Sequence, residues 1–489
     1  MRWDKLAADR QNVARQYRPA ASEKILDRQM RPPRSLREKK IMSMPAALQS
    51  RRTYAGLALF SYGFRPFFLV AALWAAFNIF LWVPQYLGLV RVPTQFSALD
   101  WHIHEMLYGY VAAAIAGFLL TAIPNWTGRL PVNGWPLAGL VLLWLAGRVA
   151  ILLSANIGGF TAALVDASFL LAIAMVAARE IIAGKNWRNL RVMIILAVLI
   201  LGNIIFHTEV LLKGSADYGI RVAISAIVLL ISLIGGRVVP SFTNNWLARN
   251  NPGRLPVPFS RFDVATIAIG SLSLAAWIAA PTHPITGTLL LIAGCMQSTR
   301  LIRWAGDRTL AEPLVLVLHL GYAFVPAGFL LLGASAWSTS VPATAGMHAW
   351  TAGAIGLMTL AVMTRASLGH TGQPLRAGRA TQIIYAAVFG AAVTRIVAAF
   401  GGSVTLMEFA GLAWIAAFGG FLLLYGPLLA KAELGGTSLI LSQMSALGQK
   451  QTLQLHDLMS ALPPKAGHWF DGMPRRTSDG PDSYKSVSG

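Results

Sequence analysis

The chain has 489 residues, of which 55% are hydrophobic and only 12% are charged, and its formal net charge is +21. The apolar residues fall in long blocks that a soluble fold would interrupt far more often. The composition therefore excludes an ordinary soluble protein and predicts an all-α, polytopic membrane protein in a lipid bilayer. The positive charge does not indicate nucleic-acid binding, because the basic residues lie in alternate loops and in the two tails, where the positive-inside bias accounts for them.

The first 57 residues contain 14 Lys or Arg against 5 Asp or Glu. They have no apolar core that could serve as a signal peptide, so residues 1–57 predict a basic cytoplasmic tail. A true start at Met42 or Met44 would remove most of this tail. Residues 58–431 predict the transmembrane domain. Residues 432–489 are rich in Ser, Gly, Pro and Gln, and predict a polar, disordered cytoplasmic tail.

Within the transmembrane domain, about twelve segments have the roughly 20 apolar residues that a helix needs to cross a bilayer. They are centred in 64–88, 104–124, 136–155, 158–178, 190–212, 219–240, 264–280, 285–304, 313–334, 343–365, 380–400 and 406–430.

The charges of the loops support this division into twelve. Lys and Arg cluster in 179–191, 237–261, 300–308 and 365–379. The intervening turns contain neither residue: 156–158, 281–284, 335–342 and 401–405. This alternation predicts twelve crossings with both termini in the cytoplasm.

The chain has one cysteine, Cys295. It excludes a disulfide framework, a thiolate zinc site, covalent C-x-x-C-H haem attachment and a dithiolate copper centre. Any metal must therefore be held by nitrogen, oxygen or thioether ligands. Of nine histidines, His456 and His468 lie in the C-terminal tail and His283 in a short external turn.

The other six histidines lie in or beside the predicted membrane helices, where ionisable side chains are costly and usually mark function. They are His102, His104, His207, His319, His348 and His370. The first three and His348 fall near the outer surface of the predicted topology, and the other two belong to the cytoplasmic half. Neutral imidazole is a good ligand for copper and for haem iron. The grouping predicts two metal regions, with one bundle-spanning site as the alternative.

The alternative is that these histidines bind no metal and are interfacial residues hydrogen-bonded to their neighbours. His102 and His104 differ by about 200° on an α-helix, so they cannot point the same way within one. Either the backbone there is extended and the helix begins near Glu105, or the two rings face different partners. Glu105 follows His102 by three residues and is placed to orient an imidazole through a hydrogen bond.

Five long, irregular blocks are distinctive: "LFSYGFRPFFLVAALWAA" (59–76), "WHIHEMLYGYVAAAIAGFLLTAIPNWTGR" (101–129), "GGRVVPSFTNNWL" (235–247), "LHLGYAFVPAGFLLL" (318–332) and "HAWTAGAIGLMTLAVMTRASLGHTG" (348–372). In matching order across roughly residues 56–430, these blocks resemble the NnrS family.

The resemblance implies a bacterial inner-membrane protein with twelve helices that binds haem and copper and is linked to denitrification and to protection against nitric oxide. It implies that His102, His104, His319, His348 and His370 are metal ligands. His207, in "NIIFHTEV", matches less specifically. Nitric oxide is the implied small-molecule ligand, and no redox partner is indicated. Protection does not by itself imply catalysis, so the sequence leaves enzymatic turnover open.

Non-covalent haem carries two propionates, and anions inside a membrane protein need cationic partners. Arg65, Arg237 and Arg365 are the candidates. Each is predicted near a cytoplasmic helix end, where an arginine that snorkels and sets topology is the alternative. Arg148 and Arg395 lie deeper, where hydrogen bonding to helix ends is the alternative to propionate pairing.

Two other functions remain open from the sequence. Twelve helices with Pro and Gly interruptions are also typical of transporters, although no inverted repeat or dense set of buried carboxylates is detectable. A haem or copper delivery factor would use the same histidines as temporary ligands. No G-x-S-x-G elbow, Walker loop, Rossmann fingerprint or H-E-x-x-H helix supports another enzyme class.

Overall fold

The computed structural model describes Tyr54 and residues 56–431, and the two predicted tails lie outside this part. It contains twelve helices that are long and apolar enough to cross a membrane, named α1 to α12 in chain order. Their bounds are Phe64–Tyr86, Ala98–Thr127, Gly134–Leu152, Gly159–Ala183, Leu190–Lys213, Tyr218–Asn250, Arg261–Ala279, Pro284–Arg308, Pro313–Ser335, Ala343–His370, Arg379–Gly401 and Val404–Ala430. The described residues contain no strand. The prediction of an all-α, multi-pass membrane protein is confirmed.

Two helices differ clearly from their predicted bounds. Helix α2 begins at Ala98, where the Ser97 side chain accepts a hydrogen bond from the backbone N–H of Asp100 and caps the helix. Helix α6 continues past Pro240 to Asn250. Hydropathy alone misplaced the start of α2 and the end of α6, because the first turn of α2 and the last turns of α6 are polar.

Local chemistry accounts for several other helix ends. Pro284 and Pro313 occupy the first turns of α8 and α9, where a missing N–H costs nothing. Ser260 and Asp263 form a reciprocal capping box at the start of α7. Gly214 ends α5 with a φ of +79°, a left-handed conformation that favours glycine.

Helix α2 lies in the interior of the bundle. Its most apolar stretch is 83% buried, against 33% for α4, α7, α11 and α12. It packs on α1, α3 and α4, while α10 packs on α1, α6, α9, α11 and α12. The hydroxyls of Tyr110 and Thr359 form a hydrogen bond that joins α2 to α10. This hydrogen bond is one direct link between the two halves of the chain, whose most extensive contact is between α1 and α12.

Both central helices contain a seven-residue π-helical segment, Glu105–Val111 in α2 and Ala349–Ile355 in α10. Each segment directly follows a histidine, His104 or His348. A π-helical segment is rare and occurs mostly at functional sites. Both segments lie close to the same membrane face, the one that the loop charges predict to be external, which we call the outer face.

The second half of the chain has a buried polar network around Arg300. The Arg300 Nε lies 3.0 Å from the Asp263 Oδ1, and its Nη1 donates to the Ser232 backbone carbonyl and to the Tyr322 hydroxyl, each at 3.0 Å. The guanidinium is fully buried. Gly236 borders it so closely that a Cβ at that position would overlap the guanidinium.

We expect Gly236→Ala to destabilise the protein by about 1–3 kcal/mol, because the new methyl group meets a guanidinium that three partners hold in place. The measurement is the thermal unfolding midpoint of detergent-purified protein, followed by tryptophan fluorescence. Gly390→Ala is the matched control, since nothing lies within 4 Å of the Cβ that it adds. Equal midpoints for the two variants would contradict the prediction.

Candidate metal centre

The site begins on α2, one to two turns inside the outer end of the helix. His104 and Glu105 are both fully buried there. The His104 Nδ1 lies 2.9 Å from the Glu105 Oε1, so the neighbouring carboxylate orients the ring and leaves Nε2 directed away from it. The two residues stand at the start of the π-helical segment, where the change of helical period presents consecutive side chains toward α3, α4 and α5.

Two further helices bring a carboxylate and a second imidazole to the His104 Nε2. Asp166 of α4 lies with its Oδ2 3.3 Å from that nitrogen. The His207 Nε2 of α5 lies 3.3 Å from the His104 Nε2 and 3.1 Å from the Asp166 Oδ2. The relative exposures of the three residues are 0%, 2% and 5% in chain order. We call His104, Asp166 and His207 the triad.

Arg148 of α3 forms ion pairs with the Glu105 and Asp166 carboxylates. Its Nη1 donates to the Glu105 Oε1 at 2.6 Å, and its Nη2 forms a close ion pair with the Asp166 Oδ1. Asn203 donates from its Nδ2 to the Asp166 Oδ2 at 2.8 Å. Gly109 makes room for Trp74 and for Arg148, because a Cβ there would lie 2.5 Å from the Trp74 Nε1 and 3.0 Å from the Arg148 Nη1. These contacts hold the Arg148 guanidinium between Glu105 and Asp166.

Aromatic rings enclose the triad. The ring centroids of Phe96, Tyr108 and Phe206 lie 5.2, 5.1 and 5.2 Å from that of His104. Such rings exclude water and lower the local dielectric, which strengthens each charge interaction inside the cluster.

The donor set of the triad fits a transition-metal ion. Two imidazole nitrogens and one carboxylate oxygen lie within 4.8 Å of one another, a triangle that one ion at the usual distance of about 2.0–2.2 Å can touch at all three corners. Two carboxylates against one guanidinium leave a net negative charge when the imidazoles are neutral, and a buried negative charge favours a cation. Imidazole with carboxylate suits copper, iron and zinc.

His102 does not join the triad, because Ala98–His104 is helical and the two rings face different partners. Its Nδ1 lies 2.7 Å from the Asn78 Oδ1, and its ring stacks on Trp82 with centroids 4.1 Å apart. His348 of α10 lies within electrostatic range of His102 and of Arg395 on α11. Of the four outer histidines, His104 and His207 thus meet in the triad, whereas His102 and His348 lie outside it.

The two inner-end histidines have separate surroundings. The His319 Nε2 lies 2.8 Å from the Thr243 hydroxyl, and the ring is buried. The His370 ring lies against Tyr62 and Phe64, with centroids 5.7 and 5.3 Å away. Within the described part of the chain, neither belongs to a group of three possible metal-binding side chains.

The three arginines predicted for haem propionates lie away from the triad. Arg65 donates from its Nη1 to the backbone carbonyls of Leu429 and Lys431, at 3.0 and 2.7 Å. Arg365 lies over the Phe242 ring, 3.9 Å from its centroid, and Arg237 is exposed. Their role toward haem stays a prediction.

Asp166 was not predicted as a site residue. Arg148 was weighed as a propionate partner or as a hydrogen-bond donor to helix ends, whereas it pairs with two buried acids. Glu105 does lie within hydrogen-bond distance of an imidazole, and that imidazole is His104. A signal was present, since Asp166 is an acid inside an apolar segment and Arg148 a base inside the preceding one, and such residues tend to face a partner within the bundle.

Single carboxylates are nevertheless buried at separate places in the bundle. Among the described residues, six acidic side chains are buried: Asp100, Glu105, Asp166, Glu180, Glu209 and Asp263. They are held by arginines, imidazoles or backbone N–H groups. Hydropathy averages over a whole segment and hides single acids of this kind.

A twelve-helix membrane bundle with a buried histidine–aspartate–histidine triad defines a polytopic membrane protein with a candidate metal site. The chain belongs to the NnrS family, since the family described as NnrS protein matches residues 58–432. No curated protein matches the chain.

Proposed function

We propose that this protein binds copper and haem in the inner membrane of denitrifying bacteria, and that it binds nitric oxide and protects the cell from it. The observation that carries the proposal is the triad. Its two imidazoles and one carboxylate are buried and mutually in contact, and with neutral imidazoles the cluster that they form with Glu105 and Arg148 carries a net negative charge. Membership of the NnrS family supports the link to nitric oxide.

Copper is assigned to the triad, with the His104 and His207 Nε2 atoms and the Asp166 Oδ2 as ligands. Glu105 holds the His104 ring through its Nδ1, and Arg148 holds Asp166. These contacts fix both ligands before a metal arrives, which reduces the entropy lost on binding. The burial of the triad favours a resident metal over the temporary ligands that a delivery factor needs.

Haem is assigned to the two outer histidines that lie outside the triad, His102 and His348. Asn78 engages the His102 Nδ1, which leaves the Nε2 as the ligand atom, as in other metal-bound histidines. Trp82 provides an aromatic flank to the same ring. Arg395 supplies a cation beside the pair for a propionate. His319 and His370 remain predicted as ligands of an inner region.

When bound, haem iron and copper supply the coordination chemistry that captures nitric oxide directly. The chain's own residues bind and orient these groups and exclude water. Phe96, Tyr108 and Phe206 screen the triad, and Arg148 balances the charge of the two carboxylates.

The direct test is to purify the protein in detergent, measure copper by elemental analysis and record the Soret band before and after addition of nitric oxide. We expect copper, a Soret band and a shift of that band. A colourless preparation without metal would contradict the proposal. It would favour a carrier that uses Glu105 and Asp166 as coupling carboxylates.

We expect Glu105→Gln to weaken copper binding by about 10–100-fold, because the amide orients His104 without a negative charge. Competition with a chelator of known affinity measures the change. Glu180→Gln is the isosteric control, since Glu180 pairs with Arg129 and Arg179 at the opposite end of the bundle. An unchanged affinity in Glu105→Gln would contradict the assigned orientation.

A further inference from the structure

Phe96 covers the triad on the side of the outer face. It lies in the non-helical stretch between α1 and α2, residues 87–97, which we call the outer loop. Phe96 is the one buried residue of this loop. Its ring centroid lies 5.2 Å from that of His104 and 5.7 Å from that of His207. One side chain of an exposed loop thus packs against both imidazoles.

Hydrogen bonds attach the outer loop to the turn between α3 and α4. The Gln95 backbone N–H donates to the Ser154 hydroxyl at 2.9 Å, and the Thr94 and Ser154 hydroxyls lie 3.1 Å apart. The Ala155 N–H donates to the Pro93 carbonyl at 3.2 Å. Water replaces hydrogen bonds of this kind at a small net cost. No charged group takes part in these three contacts, so the loop leaves this turn without separating an ion pair.

The triad lies much closer to the outer face than to the opposite face. On α2, His104 comes six residues after Ala98, the first residue, and 23 residues before Thr127, the last. At 1.5 Å per residue, these separations are about 9 Å and about 35 Å. A metal ion does not cross the lipid or the packed length of the bundle, because burying an unpaired charge is very costly. The short path past Phe96 is therefore the approach for a cation.

Two carboxylates lie at depths between the triad and the outer face. Asp100 is one turn outward from His104 on the same face of α2, and Glu209 is two residues outward from His207 on α5. Both are buried and accept hydrogen bonds from backbone N–H groups. Lys213, 3.8 Å from Glu209, offsets part of this charge. With the net negative charge of the cluster around the triad, these acids favour the approach of a cation over that of an anion.

We infer that Phe96 is a movable cover, and that a Cu²⁺ ion enters the triad from the outer aqueous phase when the outer loop moves away. The inference rests on the proposed function and adds the route and the side of entry. Removing the Phe96 ring removes its contacts with both imidazoles, which hold the cover closed with and without metal. Uptake and release therefore both become faster, by about tenfold, while the affinity, which is set by their ratio, changes little.

The first test follows Cu²⁺ uptake and release by the protein in lipid nanodiscs. Metal-stripped protein is mixed with Cu²⁺, loaded protein is mixed with excess EDTA, and the copper retained after desalting is measured at successive times. Phe96→Ala speeds both processes about tenfold. Phe160→Ala is the matched control, since Phe160 is exposed at the start of α4. Equal rates in the two variants, or faster release with unchanged uptake, overturn the inference.

The second test locks the outer loop in place. The Thr94 and Ser154 hydroxyls are close enough for cysteines at both positions to form a disulfide. The double variant Thr94→Cys/Ser154→Cys is made in a Cys295→Ser parent, so that the oxidised protein has no free thiol to bind copper. The oxidised protein takes up Cu²⁺ about tenfold more slowly than the parent. Uptake at the rate of the parent overturns the inference.

The third test needs no metal. Diethyl pyrocarbonate modifies accessible imidazoles, and mass spectrometry follows the modification of His207 in metal-stripped protein. The reaction is faster in Phe96→Ala than in the wild type, and slower in the oxidised double variant than in its parent. Unchanged modification rates overturn the inference. If these rates change as expected but the wild type binds no copper, the proposed function fails while the movable cover stands.

Discussion

Replacing His207 with alanine will remove copper from the purified protein and leave its haem in place. The His207 Nε2 is one of three donors that meet within 3.3 Å of one another, so its loss leaves two ligands and an enlarged, wetter cavity. His102→Ala will have the opposite effect, because His102 faces Asn78 and Trp82 and not the triad. Copper and iron are measured separately for each variant by elemental analysis.

The control for this pair is His283→Ala. His283 caps the start of α8 from an exposed turn and touches neither proposed site, so both metals should stay at wild-type levels. Loss of copper and haem together from His207→Ala, with normal folding, would show that the two groups share one site. Full retention of copper would remove the triad as the copper site.

Arg148→Met will be among the most destabilising single substitutions in the bundle. Methionine has a similar length but no charge, so Glu105 and Asp166 would share a buried pocket without a cation. Breaking a buried ion pair from one side costs about 3–5 kcal/mol. The thermal unfolding midpoint in detergent, followed by tryptophan fluorescence, will fall accordingly, and the copper content will fall with it.

Arg254→Met is the matched control, because Arg254 pairs with Asp307 at an exposed position and such pairs contribute little. Combining Arg148→Met with Glu105→Gln and Asp166→Asn removes the uncompensated charges, and we expect part of the lost stability to return. A triple variant less stable than Arg148→Met alone would contradict the charge-balance explanation.

The membrane-spanning helices could be predicted from the sequence, because each crossing depends on the composition of its own segment. A helix crosses lipid when about 20 consecutive residues are apolar enough, whatever its neighbours are. The segment around 158–178 was found in this way, and the helix Gly159–Ala183 confirms it. Hydropathy is averaged over a whole segment, so it gave no sign of Asp166, since one acid scarcely changes the mean hydropathy of the window that contains it.

Which histidines lie next to one another could not be predicted from the sequence. Sequence placed His102, His104, His207 and His348 at one depth, which follows from their positions along each helix. Which rings meet depends on how the helices are rotated and which of them are neighbours. The π-helical segment after His104 also changes the direction in which the following side chains point, and no hydropathy pattern encodes that change.

By itself, the sequence determined that this chain is a twelve-helix membrane protein of the NnrS family, and that six of its histidines lie in or beside the membrane helices. These properties depend on local composition and on motifs that are continuous along the chain. Only the tertiary structure decided that His104 and His207 meet Asp166, and that Arg148 joins Asp166 to Glu105. Those contacts join helices α2 to α5, and their side chains approach only when lateral packing sets the order and rotation of the helices.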